Sequence, residues 1–192
     1  MPVLILLFVG SGCAALVYEI VWFQMLQLVI GSTGVSLGVL LGAFMGGMCI
    51  GSLLLPRYVS PRQHPLKVYA LLELATAGIA IVLLGIIPLA AGAYVSIVPA
   101  GSASIAFRAV LAGVLLLPPT ILMGATLPAI SRYVEATPRG VSWMGYFYAG
   151  NIAGAVVGCL LAGFYLLREY DIVVATFTAA GIDVMVAGLA LA

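Results

Sequence analysis

The chain has 192 residues, 65% hydrophobic and only 7% charged, with a formal net charge of +1. A soluble domain carries about 25% charged residues, so a water-soluble globule is excluded. With no basic patch beyond ordinary loop flanks, so is a nucleic-acid-binding protein. Apolar runs of about 20 residues or more suit α-helices that cross a hydrocarbon core of about 30 Å. The alternating pattern of a transmembrane strand is absent. The composition therefore predicts an all-α integral membrane protein, a six-transmembrane-helix bundle set in the lipid bilayer.

In chain order, the first helix is expected over residues 3–30, with Glu19 inside an otherwise apolar run. Residues 1–16 lack the basic segment of a secretory signal, and the apolar run continues past any cleavage site, so an uncleaved helix is expected. Gly31-Ser32-Thr33 breaks the run. A second helix spans 35–55, with Gly38, Gly42 and Gly46 followed by Gly47 and Gly51. The polar loop PRYVSPRQHP, residues 56–65, leads to a third helix over 66–91 that contains Glu73. A linker over 98–104, rich in Gly, Pro and Ser, precedes the fourth helix, 105–130. Pro118-Pro119 lies inside that helix and should kink it, because proline removes backbone donors. A short charged loop leads to the fifth helix, 142–167, with Gly150, Gly154 and Gly158. The turn at 168–171 leads to the sixth, 172–192, which contains Asp183.

The basic residues are unevenly placed. Arg57, Arg62 and Lys67 flank the loop between helices two and three, and Arg132 and Arg139 flank the loop between four and five. Only Arg108 and Arg168 fall on the other side. The positive-inside rule makes the two richer loops cytoplasmic, with both termini, in a cell's inner (cytoplasmic) membrane.

Cys13, Cys49 and Cys159 all fall in apolar runs and read as small buried hydrophobes. The one histidine, His64, lies in a loop and supplies neither a nucleophile–base pair nor a metal set. No catalytic residue, metal or cofactor is expected.

Three acids remain. A carboxylate at mid-helix costs about 2.5–3.5 kcal/mol on insertion scales, so Glu19, Glu73 and Asp183 must face the bundle interior or a partner. Carboxylates beside aromatic faces suit a cation. Glu19 is the first candidate, with Trp22 on its face and Tyr18 adjacent. Tyr146, Tyr148 and Asn151 on helix five could add to such a site. A structural role is open for each. Glu19 could bond a helix end, Glu73 could lie at the cytoplasmic interface with Lys67, Asp183 could face a partner subunit, and Asn151 could hold helices together. Glycines four apart share a helix face and let another helix approach. The faces of helices two and five could pack within the bundle or against something outside it.

Four segments carry a resemblance: SGCAALVYEIVW, GAFMGGMCIGSLL, LPPTILMGATLPAISR and YAGNIAGAVVGCLLAGFYLL. They resemble the membrane region of the fused MFS/spermidine synthase family. The resemblance implies a bundle like one half of a major facilitator fold. In that family the membrane region is joined to a cytoplasmic aminopropyltransferase domain. This chain has no Gly-rich nucleotide loop after a strand and no acidic diamine-binding cluster, so no residue of that activity is carried over. The resemblance implies a half-module for binding or transport of a polyamine or other organic cation, acting as a homodimer through the glycine faces of helices two and five. The alternative is a non-catalytic anchor or accessory subunit, serving other membrane subunits or a separate soluble synthase.

Overall fold

Each long apolar run forms one helix, and these helices pack by glycine and alanine faces. The computed structural model describes residues 2–30, 33–60, 63–97, 102–134 and 140–192. Gly31-Ser32, Arg62, the linker residues 98–101 and residues 135–139 with Arg139 lie outside the described residues, as does the Arg108 side chain. The helices are α1 (Pro2–Ile30), α2 (Thr33–Tyr58), α3 (Pro65–Ile97), α4 (Ser102–Val134), α5 (Gly140–Leu161) and α6 (Ile172–Leu191). α5 runs on through a π-helical turn, Ala162–Leu166, to Glu169. No strand occurs among the described residues. All six helices have spans long and apolar enough to cross a membrane.

α3 and α4 extend past the limits set by hydropathy, because backbone hydrogen bonding does not stop where apolar side chains do. Pro65 opens α3, where a missing N–H costs nothing. Asp171 caps α6, its Oδ1 accepting from the Val174 N–H at 2.8 Å. In α4 the helix continues through Pro118 and Pro119. Directly after them, the Thr120 hydroxyl lies 2.9 Å from the Leu116 carbonyl, 3.0 Å from that of Leu117 and 3.1 Å from that of Ala43 in α2. It thereby ties this turn of α4 to α2, while the carbonyls that Pro118 and Pro119 leave without an N–H are those of Val114 and Leu115, one turn earlier.

The most extensive helix pairings are α2 with α4 and α1 with α5, followed by α3 with α6. The first two are built on glycine. A Cβ at Gly154 or Gly158 would run into the backbone of Val9 or Cys13 in α1, and one at Gly12 would meet Asn151 in α5. Likewise a Cβ at Gly51 would meet Ile121 in α4, and one at Gly124 would meet Met48 in α2.

These two sets are equivalent. Exchanging α1–α3 for α4–α6 turns the Gly12–Asn151 contact into Gly124–Met48, and Gly154–Val9 into Gly51–Ile121. The pairing of α3 with α4 becomes that of α6 with α1. α3 and α6 pack on each other and carry matching segments, TAGIAIVLLG at 76–85 and AAGIDVMVAG at 179–188. The fold is thus two three-helix repeats. An odd number of spans per repeat means that the second is inverted across the membrane relative to the first.

Gly38, Gly42 and Gly46 have nothing within 4 Å of a built Cβ, whereas the next glycine, Gly47, packs on Thr120. The α2 stripe is therefore open, and the α5 stripe is occupied inside the chain by α1.

Candidate functional site

The apolar interior divides into two clusters. One gathers Tyr18, Trp22, Leu26, Phe44, Leu83 and Leu116. The other gathers Leu7, Phe8, Tyr69, Ile130, Phe147 and Ala187, at the end of the bundle where Arg57, Lys67 and Arg132 lie. A thin polar layer separates them, contributed by α1, α3 and α6.

Helical spacing builds this layer. On α3, Tyr69, Glu73 and Thr76 lie four and three apart and point inward together. On α1, Ser11 and Tyr18 are seven apart and also share a face. On α6, Asp183 stands one helical stretch after Thr176, itself bonded to the Ile172 carbonyl at 2.8 Å. Glu73 is 3% exposed and Asp183 1%.

The Tyr18 hydroxyl donates to Asp183 Oδ2 at 3.0 Å. The Tyr69 hydroxyl donates to the Leu7 carbonyl at 3.3 Å. Ser11, Tyr69 and Asp183 surround the Glu73 carboxyl. Glu73 Oε1 nevertheless has no hydrogen-bond partner, and neither does Thr76 Oγ1. Cys13 completes the titratable neighbours of Asp183. No cation faces the pair among the described residues. Arg57, Lys67 and Arg168 are exposed, and Arg132 donates to the Val59 carbonyl at 3.1 Å. The layer is thus a pair of carboxyls, one from each inverted repeat, enclosed by phenols and hydroxyls with one carboxyl oxygen free.

Glu19 is elsewhere. It is half-buried, on another face of α1. Trp22 is fully buried and stacks on Tyr18, their ring centroids 5.4 Å apart, and it also leans on Phe44 at 5.9 Å. The structure therefore brings Tyr18, Glu73 and Asp183 together, with Trp22 packed behind them, and leaves Glu19 outside. Lys67 is exposed while Glu73 turns into the bundle. Asn151 is half-buried and donates to the Phe8 carbonyl at 3.4 Å, across the α1–α5 contact. Tyr146 and Tyr148 are exposed. Ser11, Tyr69 and Thr76 were not singled out in the sequence. The signal that points to them is their three-, four- and seven-residue spacing from the acid and phenol they join.

On the other side of α1, a groove of about 360 Å³ lies between α1, α2, α4 and α5. Ser11 lines it, with Phe8, Phe44, Met123, Tyr148 and Asn151.

The six apolar helices define a multi-pass integral membrane protein with an enclosed carboxyl pair between two inverted repeats. No protein-family model, no curated protein and no solved structure matches the chain.

Proposed function

We propose that the chain is a membrane transport module that binds a proton between Glu73 and Asp183. The observation that carries this reading is the meeting of two buried carboxyls from opposite repeats, with Glu73 Oε1 left without a partner. An intramembrane carboxyl marks proton relays and ion pathways. Transporters built of inverted repeats hold substrate and coupling ions near the interface of the repeats. A proton suits two facing oxygens in so closed a space, whereas metal cations take a cage of several.

The three-plus-three arrangement is that of one half of a major facilitator fold. Together with the resemblance to the membrane region of spermidine synthase-like proteins, it supports a proton-coupled half-module whose cargo is an organic cation such as a polyamine. The module lies in the cytoplasmic membrane with both termini inside, as the placement of Arg57, Lys67 and Arg132 supports.

The test is proton movement into liposomes that contain the purified chain, driven by a potassium diffusion potential. The expected result is a flux above that of empty liposomes. Glu73→Gln and Asp183→Asn should each cut it at least tenfold, about 1.4 kcal/mol in rate terms. A wild-type flux equal to that of empty liposomes, or unchanged in both variants, would overturn the reading.

A second reading, an accessory subunit held in a larger membrane complex, is favoured by the open glycines Gly38, Gly42 and Gly46 of α2, where another helix has room to approach. Native mass spectrometry of the gently extracted chain separates the two.

A further inference from the structure

Ser11 belongs to two places at once. Its side chain lines the groove between α1, α2, α4 and α5, and it faces the Glu73 carboxyl in the enclosed layer. It is half-buried, where Glu73 and Asp183 are sealed. Three of its polar neighbours in the groove are otherwise engaged. Ser52 donates to the Cys49 carbonyl at 2.9 Å, Thr126 to the Met123 carbonyl at 2.7 Å and Asn151 to the Phe8 carbonyl at 3.4 Å. In the layer, Glu73 Oε1 remains without a hydrogen-bond partner. Elsewhere the layer is closed by the apolar clusters above and below it.

We propose that the groove is the access route to the carboxyl pair and that the Ser11 hydroxyl is the relay between them. This rests on the reading of Glu73 and Asp183 as a proton site. A hydronium ion in the water of the groove gives a proton to Ser11 Oγ and is left as water, as the serine's own hydroxyl proton passes to the Glu73 carboxylate, so Ser11 ends as it began. The reverse sequence returns the proton. Glu73 shares it with Asp183, whose other contact is the Tyr18 hydroxyl. Tyr69, whose hydroxyl proton is given to the Leu7 carbonyl, lies beside the Glu73 carboxyl. Ser11 is a positioning and relay residue for the pair.

The groove offers its own control. Cys49 is exposed and lines it, while Cys13 is buried. In a Cys159→Ala background, a bulky maleimide on Cys49 would plug the groove without touching the layer.

The experiment is infrared spectroscopy of the full chain in lipid, transferred from H₂O to D₂O. The protonated carboxyl band of Glu73 is assigned by its loss in Glu73→Gln. The expected result is that Ser11→Ala and the Cys49 adduct each slow hydrogen–deuterium exchange of that band at least tenfold. Ser11→Thr, which keeps a hydroxyl, should exchange at close to the wild-type rate. A band whose exchange neither Ser11→Ala nor the adduct slows would overturn the route and leave the proton site standing. A wild-type protein with no such band would overturn the proton site, and the route with it.

Discussion

Tyr18 of α1 donates its phenolic proton to Asp183 of α6 at 3.0 Å, and that bond joins the first inverted repeat to the second. The two residues are 165 positions apart in sequence, and both are buried. An acid at the centre of an apolar helix is tolerated when another helix satisfies it, and α1 does so here. Trp22, stacked on Tyr18, holds the phenol against movement.

Tyr18→Phe removes the donor and leaves the Asp183 oxygen buried without it. An unsatisfied buried acceptor costs about 1–3 kcal/mol. Unfolding in mixed micelles with rising SDS should show a loss in that range. Asp183→Asn keeps an acceptor for Tyr18 and should lose less.

Gly154→Val and Gly51→Val drive a side chain into the backbone of the facing helix. Overpacking of this kind costs about 1–3 kcal/mol. Both variants should lower thermal stability in detergent, and by similar amounts, because the two positions are equivalent in the repeats. Gly42→Val points into open space and should leave stability of the single chain unchanged. If Gly42→Val instead breaks up a native oligomer, the open stripe of α2 is an interface.

Glu19→Gln and Glu73→Gln separate the acid that stands alone from the acid in the layer. In the liposome flux measurement Glu73→Gln should lose at least about tenfold, equal to about 1.4 kcal/mol. Glu19→Gln should keep most of the wild-type rate. The opposite ranking would move the site to the half-buried face of α1.

Gln63→Cys reports orientation. Gln63 is exposed beside Lys67, at the end of the bundle expected to face the cytoplasm. With Cys49 and Cys159 replaced, it should react with a membrane-impermeant maleimide in inverted vesicles and stay unlabelled in intact cells. Labelling in intact cells alone would reverse the orientation.

The six helices were legible because a membrane span is a local property: about 20 apolar residues in a row suffice. The internal repeat was legible in principle, since α3 and α6 share Ala-Gly-Ile followed by a glycine seven residues after the first. It goes unnoticed because the repeat in the other two helix pairs lies in glycine positions rather than in matching strings. The site was legible only in part. Glu19 drew attention through its sequence neighbours Tyr18 and Trp22, yet one residue along a helix is a rotation of about 100°. Tyr18 and Trp22, four apart, share the inward face, and Glu19, one step round from Tyr18, is left half-buried. The same step separates the open Gly46 from the packed Gly47.

Composition and hydropathy alone determined that this chain crosses a membrane as six helices, and roughly where each begins and ends, because burial in lipid sums residue by residue along one helix. Tertiary structure decided which faces meet. It placed the α5 glycines against α1 and left Gly38, Gly42 and Gly46 of α2 open. It joined Glu73 to Asp183 and Tyr18 rather than to Lys67, and set Ser11 between the groove and the carboxyl pair. Those outcomes depend on the rotation of each helix and on which partner lies opposite, and side chains on three separate helices settle both at once.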